Sequence, residues 1–162
     1  MEIKIEEAKK RDFNQIIKLQ MGLADFHKKI EPKYYKSGKE RRTHLEKRLN
    51  KFFSKKRKNQ KFFVAKVEDK IIGFLNIGIH KPHFYCRERK IGELGQMYVD
   101  KKFRRKGVGE LLFKEAKNWF KKRKIKFVEV LVDSRNEIGI SAYKKYGFFE
   151  FQKKMRFDLL GK

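Results

Sequence analysis

Two short stretches of this chain carry residue types whose spacing implies chemistry. Arg104-Arg105-Lys106-Gly107-Val108-Gly109 lies between a predicted strand and a predicted helix. A helix that begins near Gly107 leaves unpaired N–H groups in its first turn. Those groups, and the positive end of the helix dipole, favour a bound anion. Gly107 and Gly109 let phosphate oxygens approach the backbone, and three cations stand beside them. The spacing lacks the G-x-x-x-x-G-K-[ST] of a P-loop, which disfavours nucleotide hydrolysis, and the three glycines of a dinucleotide fingerprint. The same six residues also read as a glycine turn with a solvated basic edge. In the second stretch, Asn136 follows another predicted strand, Tyr143 comes seven residues later, and the turn Tyr146-Gly147-Phe148 stands behind it.

In this order the two stretches resemble the cofactor core of the GNAT superfamily, the acetyl-CoA-dependent N-acetyltransferases. Arg-x-x-Gly-x-Gly after a strand resembles that family's acetyl-CoA loop. Asn136-x-x-Gly139-x-x-x-Tyr143-x-x-x-Gly147-Phe148 resembles its N-x-x-A-x-x-x-Y-x-x-x-G-F pattern. Gly139 stands where Ala is usual, a change that softens the helix by roughly 1 kcal/mol. The resemblance covers residues 60–158 well and the first 60 only in element order. It implies acetyl-CoA as co-substrate, no metal, and one N-acetyltransferase domain over residues 1–162. Residues Arg104, Arg105, Lys106, Gly107, Val108, Gly109 and Glu110 would hold the pyrophosphate. The backbone of Met97-Tyr98-Val99 would pair with the pantetheine arm like an added strand, and Asn136 would bond to that arm. A main-chain amide of that strand would polarise the thioester carbonyl. Tyr143 would sit beside the sulfur and donate its proton, or a hydrogen bond, to the departing thiolate. Its other reading is an aromatic core residue of a short helix.

Acetyl transfer needs a neutral amine, so a carboxylate or an ordered water must take a proton. Glu93, at the start of the strand that leads into the cradle and eleven residues before Arg104, is the candidate. Histone-type members of the superfamily carry a catalytic Glu at this offset. Glu93 also reads as an exposed strand-end carboxylate balancing Lys90. Glu129, on the next strand, is a second candidate. Ribosomal-protein N-terminal acetyltransferases carry their Glu where Leu131 stands, and polyamine acetyltransferases favour acids where Gly95 and Gln96 stand. Both subfamilies are thereby disfavoured. Cys86 has no motif of a nucleophile around it, so the amine is expected to attack acetyl-CoA directly in a ternary complex.

Other signals carry less. His80, His83 and Cys86 recur at three-residue intervals, but across a strand end and a Pro-containing loop, with no second ligand pair. Tyr34-Tyr35 reads either as the wall of an acceptor groove or as packing over two helices. The rival class is a basic nucleic-acid-binding module that retains the fold, with or without CoA. Its mark would be aromatic residues interleaved on a basic face, as Lys51-Phe52-Phe53-Ser54-Lys55 and Lys61-Phe62-Phe63 offer. Those Phe pairs fit core positions equally well.

The elements that must position these residues follow from periodicity. Met1 to Glu7 alternates as a first strand, and Asp12 can cap a helix whose apolar face is Phe13, Ile16, Ile17, Met21 and Ala24. After Pro32 and Ser37-Gly38 a second helix presents Leu45, Leu49, Phe52 and Phe53 on one face and a strongly basic surface on the other. Phe62–Val67 and Ile71–Ile79 read as a hairpin turned at Glu68-Asp69-Lys70, and Ile91–Asp100 as the next strand. Val108–Arg123 is the clearest helix. Phe127–Val132 reads as a buried central strand, Ile138–Tyr146 as a short helix, and Phe148–Leu159 as a closing strand. The order β-α-α-β-β-β-α-β-α-β indicates an α/β fold with a mixed, mostly antiparallel sheet flanked by helices.

Length and composition set the outer bounds. A chain of 162 residues with 16 Phe can bury a core, despite 40% charged residues. One cysteine excludes an intrachain disulfide and suits a reducing cytosol. The N-terminus lacks an apolar signal region and no run is long enough to span a membrane, so a cytoplasmic protein without membrane contact is expected. Lys and Arg total 45 against 20 Asp and Glu, a formal +25. Such a field attracts polyanions, nucleic acid included, although the charges spread over every segment as on a solvated Lys-rich surface. The expected partner is an amine-bearing small molecule, protein or peptide, and the expected assembly a monomer or homodimer.

Overall fold

The computed structural model describes residues 2–159. The chain folds as two compact units, Met1–Leu131 and Val132–Lys162. The first holds strands β1 (Lys4–Glu7), β2 (Gln60–Val67), β3 (Lys70–His80), β4 (Ile91–Val99) and β5 (Val128–Val130). It also holds helices α1 (Phe13–Ile30), α2 (Gly38–Phe53) and α3 (Val108–Lys122). The strands form one sheet in the order β1-β2-β3-β4-β5, antiparallel throughout except for the parallel β4–β5 pair. This is the α/β fold with a mostly antiparallel sheet that the periodicity predicts.

Strand alternation sends successive side chains to opposite faces, and each face finds its own helix. Phe62, Val64 and Phe74 pack against Ile16, Ile17 and Leu23 of α1 and Leu45 and Leu49 of α2. Gly73 and Gly92 turn the other way, toward α3. A Cβ on Gly92 would meet the Phe120 ring at 2.7 Å, and one on Gly73 would meet Val108 Cγ1 at 3.3 Å. Leu112, Ala116, Trp119 and Phe120 of α3 are buried there. One ion pair lies inside the α1 side: Lys66 Nζ reaches Asp12 at 3.0 Å, and both residues are buried.

Two local expectations are corrected here. Asp12 holds the N-cap position of α1, but its side chain makes no capping bond there; its carboxylate instead accepts the Lys9 N–H at 2.8 Å, closing the short 3₁₀ turn Lys10–Asp12. The Ser37 hydroxyl does cap α2, accepting from the Glu40 N–H while Glu40 accepts the Ser37 N–H. The expected buried strand over Phe127–Val132 is the three-residue edge strand β5, with Phe127 and Leu131 exposed. Asp133 explains its end, because its carboxylate accepts the Arg135 N–H and its carbonyl the Asn136 N–H, turning the chain.

The second unit contains α4 (Glu137–Lys145). The expected closing strand over Phe148–Leu159 is absent among the described residues. Phe149, Phe151, Met155, Phe157 and Leu159 alternate as a strand would, yet all are exposed. Alternation supplies the preference for extended chain, whereas a strand needs a ladder partner to exist.

Candidate functional site

Strand β4 changes partners along its length. Gly92, Glu93 and Leu94 pair with Val128, Glu129 and Val130 of β5, and the parallel pairing stops there. Beyond Leu94 the strand continues to Val99 with β3 as its only strand neighbour among the described residues. Met97, Tyr98 and Val99 therefore present one free backbone edge. A bulge marks the change: Gly95 and Gln96 together face the single residue Asn76 of β3. Asn76 pins it by accepting the Gln96 N–H at 2.6 Å, and a Cβ at position 95 would meet the same amide at 2.6 Å. The Gln96 N–H is thus committed and cannot polarise a ligand carbonyl.

The free edge of β4 leads into the basic loop. Lys101–Phe103 makes a 3₁₀ turn capped by Asp100, Arg105 adopts the left-handed backbone at φ 61°, and Gly107 follows at φ 77°. Nothing lies within 4 Å of the position a Gly107 side chain would take, so its glycine is required by conformation rather than by crowding. No side chain caps α3, and the first intrahelical bond is from Leu111 N–H to the Gly107 carbonyl. The backbone N–H groups of Val108 and Gly109 accordingly open toward an incoming anion.

The three cations of the loop differ in what they do. Arg104 folds back, donating from Nε to the Val99 carbonyl at 3.1 Å and stacking over Phe26 and Tyr98. It braces the strand-to-loop corner. Lys106 lies over the Phe103 ring, and Arg105 is exposed. Glu110 occupies the third position of α3 and is exposed, a carboxylate at the positive helix end. The Tyr98 phenol packs on Gly22, and burial pushes its pKa up.

Glu93 is exposed, with His80 Nδ1 at 3.9 Å from its carboxylate, and its register neighbour on β5 is Glu129. Because Gly92 faces Phe120, alternation puts Glu93 on the α1 face of the sheet. Two residues on that face were not singled out by sequence reasoning. Gln20 of α1 is buried, its Nε2 lies 3.4 Å from Gln96 Oε1, and its own Oε1 has no hydrogen-bond partner. Its signal was a polar residue among Ile16, Ile17, Leu19 and Leu23, where helical period calls for an apolar one. Asp25 lies in a cleft of about 640 Å³ lined also by Gly22, Phe26, Lys28 and Tyr98. Tyr34 and Tyr35 pack edge to face on each other, with Tyr35 also against His27, and neither lines that cleft.

In the second unit the sequence pattern turns out to be a helix with both ends closed. Asn136 caps α4, its Oδ1 accepting the Gly139 N–H at 2.9 Å, which leaves its NH₂ as the free donor. A Cβ at position 139 would meet Asn136 Nδ2 at 2.6 Å, so glycine there is coupled to the placement of Asn136. At the other end Gly147, at φ 95°, donates to the Lys144 carbonyl, and Phe148 donates to that of Tyr143. This is the Schellman arrangement, which sets the residue after the glycine against the first residue of the last turn. Here those residues are Phe148 and Tyr143, with ring centroids 5.7 Å apart. The Tyr-x-x-x-Gly-Phe spacing thereby fixes the Tyr143 ring. Burial, then Tyr146, pushes its phenol up to about 12.

His80, His83 and Cys86 do not assemble: His80 faces Glu93, His83 stacks on Tyr85, and Cys86 is exposed. Among the described residues no three potential metal ligands come together, and no helix is long and apolar enough to cross a membrane. Phe62 and Phe63 are buried, and Phe52 and Phe53 pack against the core, so these rings form no exposed stacking platform.

The fold has counterparts among known proteins. A model of the acetyltransferase (GNAT) family matches residues 23–148. An uncharacterized N-acetyltransferase of Methanocaldococcus jannaschii is 34% identical over 95 residues, which span 59% of this chain and 42% of that relative. The chain thus spans less than half the length of that curated relative. A quadruple variant of the BH1408 protein from Bacillus halodurans superposes with a TM-score of 0.84 at 21% identity, over 96% of this chain and 99% of that one. A predicted acetyltransferase from Clostridium acetobutylicum, solved with acetyl-CoA, gives 0.75 at 19% identity, over 98% and 97% of the two chains. The two structures share the fold, and the family model spans most of the sequence: the chain belongs to the acetyltransferase (GNAT) family.

Proposed function

We propose that this protein is an N-acetyltransferase, acting as one domain, that moves the acetyl group of acetyl-CoA to a primary amine by direct attack with both substrates bound. The observation that carries the reading is continuous in the chain: a free β4 edge over Gly95–Val99 running into the uncapped start of α3. An extended arm ending in a pyrophosphate needs that sequence of groups, main-chain pairing first and anion-binding amides last. Met97, Tyr98 and Val99 pair with the arm through their backbone. The amides of Val108 and Gly109, with Arg105 and Lys106, take the phosphates, and Arg104 holds the corner that aims them. Asn136 donates from its free NH₂ to the arm.

In the reaction the amine nitrogen bonds to the acetyl carbon, the carbon–sulfur bond breaks, and the amine loses a proton. Glu93 takes that proton, directly or through water, with Glu129 beside it as the second carboxylate. Tyr143 donates a hydrogen bond to the departing sulfur. The amine approaches on the α1 face, where Glu93 lies and where Gln20 Oε1 has an unused lone pair. The acceptor is a small amine, a lysine side chain or a protein N-terminus, and the single exposed cysteine fits a reducing cytosol.

The test is release of free CoA thiol from acetyl-CoA across a panel of amines and peptides. Turnover on one class with intersecting initial-rate lines supports the reading. Ping-pong kinetics, or an acetylated Cys86 by intact mass, would overturn direct attack. Stoichiometric CoA binding with no turnover on any class would overturn the enzyme in favour of a binding module.

A further inference from the structure

A second cationic site lies at the far end of the sheet from the phosphate loop. A groove of about 740 Å³ opens where α2 passes into β2, lined by fourteen residues of which seven are Lys or Arg. Residues Lys55, Lys56, Arg57 and Lys58 form one wall, and Lys61, Lys90 and Arg123 complete it. Glu7 is its only acid, and its carboxylate is already paired with Lys61. Six cations therefore face one concavity with no carboxylate to balance them. Lys90 immediately precedes β4, whereas the phosphate loop follows Val99 at the other end of that strand. Nine residues of strand put the two about 26 Å apart.

The groove is built rather than a chance gathering of mobile lysines. Arg57 donates from one Nη to the Lys51 carbonyl at 2.9 Å and lies over the Phe52 ring, while its buried Nε has no acceptor. Arg123 is stacked over Trp119 at 3.9 Å from the ring centroid. Two guanidinium groups are thus held in place before any ligand arrives, which lowers the entropy lost on binding. The positive surface also continues past the groove. Arg41, Arg48 and Lys51 recur at helical spacing along α2, a helix about 24 Å long, and Lys51 is the residue that anchors Arg57. A small anion would need only the pocket, whereas a phosphate chain uses pocket and stripe together.

We infer that this groove and the adjoining stripe of α2 bind the phosphate backbone of single-stranded RNA, at a site separate from the acetyl-CoA loop. Recognition is of backbone and independent of base sequence: of the two rings that line the groove, Phe52 lies under the Arg57 guanidinium and packs edge to face on Phe53, so neither is set out as a stacking platform.

Fluorescence anisotropy with a labelled oligouridine RNA and the full chain tests this. If five cations engage phosphates, affinity falls about 100-fold between 50 and 200 mM salt, from a slope of about −0.7 per contact on single strands. Lys55→Glu with Lys58→Glu, both at exposed positions, should weaken binding at least tenfold with unchanged thermal melting. Lys114→Glu with Lys117→Glu on the exposed side of α3 changes net charge equally and should leave binding within twofold. Saturating CoA should not displace the RNA. An equal loss in the α3 variant would show attraction by net charge alone, and displacement by CoA would place the RNA in the phosphate loop. Tighter binding of tripolyphosphate than of the RNA would assign the groove to a small anion. Any of the three overturns the proposal.

Discussion

Replacing Tyr143 by Phe removes one hydroxyl and leaves the ring that Phe148 holds. The magnitude of the effect follows from its acidity. The phenol is held up at about 12 by burial, while an alkyl thiol ionises near ~8.5. Complete proton transfer to the departing sulfur would run uphill by about 3.5 pK units, close to 5 kcal/mol. Tyr143 therefore keeps its proton and acts by donating a hydrogen bond to the charge that develops on sulfur. A hydrogen bond to a charged group contributes about 1.5–3 kcal/mol. Its loss should lower kcat by about 10- to 150-fold. The assay is initial-rate thiol release at saturating acetyl-CoA, followed from about pH 6 to 10. The variant should show that loss with KM for acetyl-CoA within about threefold. Neither enzyme should show a basic limb from tyrosine ionisation in this range, since the raised value keeps the phenol neutral throughout. Unchanged turnover would remove Tyr143 from the reaction. A basic limb near pH 9–10 in the wild type that vanishes in Tyr143→Phe would show a phenol acidic enough to transfer its proton, and would refute the acidity on which the estimate rests.

Three further outcomes are expected. Phe148→Ala keeps the Gly147 cap but frees the Tyr143 ring, so kcat should fall about tenfold while the phenol titrates closer to 10 in an ultraviolet tyrosinate titration; an unmoved titration would deny Phe148 its positioning role. Glu93→Gln should lower kcat/KM by about 10²- to 10⁴-fold at neutral pH, with recovery at high pH where the amine is already neutral, and a flat ratio across pH would exclude it as base. Lys66→Met leaves the Asp12 carboxylate buried without its partner and should cost about 3–5 kcal/mol in a denaturant melt, most of it recovered when Asp12→Leu is added. For the wild type, burial opposes the Lys66 charge, but hydrogen bonds to Asp12 and Glu6 outweigh it and raise the pKa above 10.5. Its contribution is then complete below that value and is lost only as pH climbs through the raised one, so a loss already complete at pH 9 would contradict the pair.

Read from residues alone, the order of elements as far as α4, the loop and helix at Gly107, and the Asn136–Phe148 spacing were legible. Each depends on groups within a few residues of one another. Helical period in Val108–Lys122, a left-handed glycine and the caps of α4 are local preferences, and local preference survives into the folded chain. What sequence period could not supply was partnership. Phe127–Val132 has the composition of a buried strand, but pairing with β4 ends at Val130 because Asp133 turns the chain. Phe149 to Leu159 alternates without a ladder to join.

The same division runs through the candidate site. Residue types and spacing alone determined that a cationic glycine loop precedes α3 and that a tyrosine stands one turn before a glycine cap. Only the tertiary structure decided that Arg104 braces the corner through Val99, Phe26 and Tyr98, that Asn76 takes the Gln96 amide, and that Gln20 is left with an unused oxygen. It also decided that Phe62 and Phe63 are buried while Phe52 and Phe53 join the lysines around a groove. The reason is distance along the chain. Caps and turns are closed by neighbours within about six residues, whereas these contacts join side chains from separate elements, and packing chooses among them.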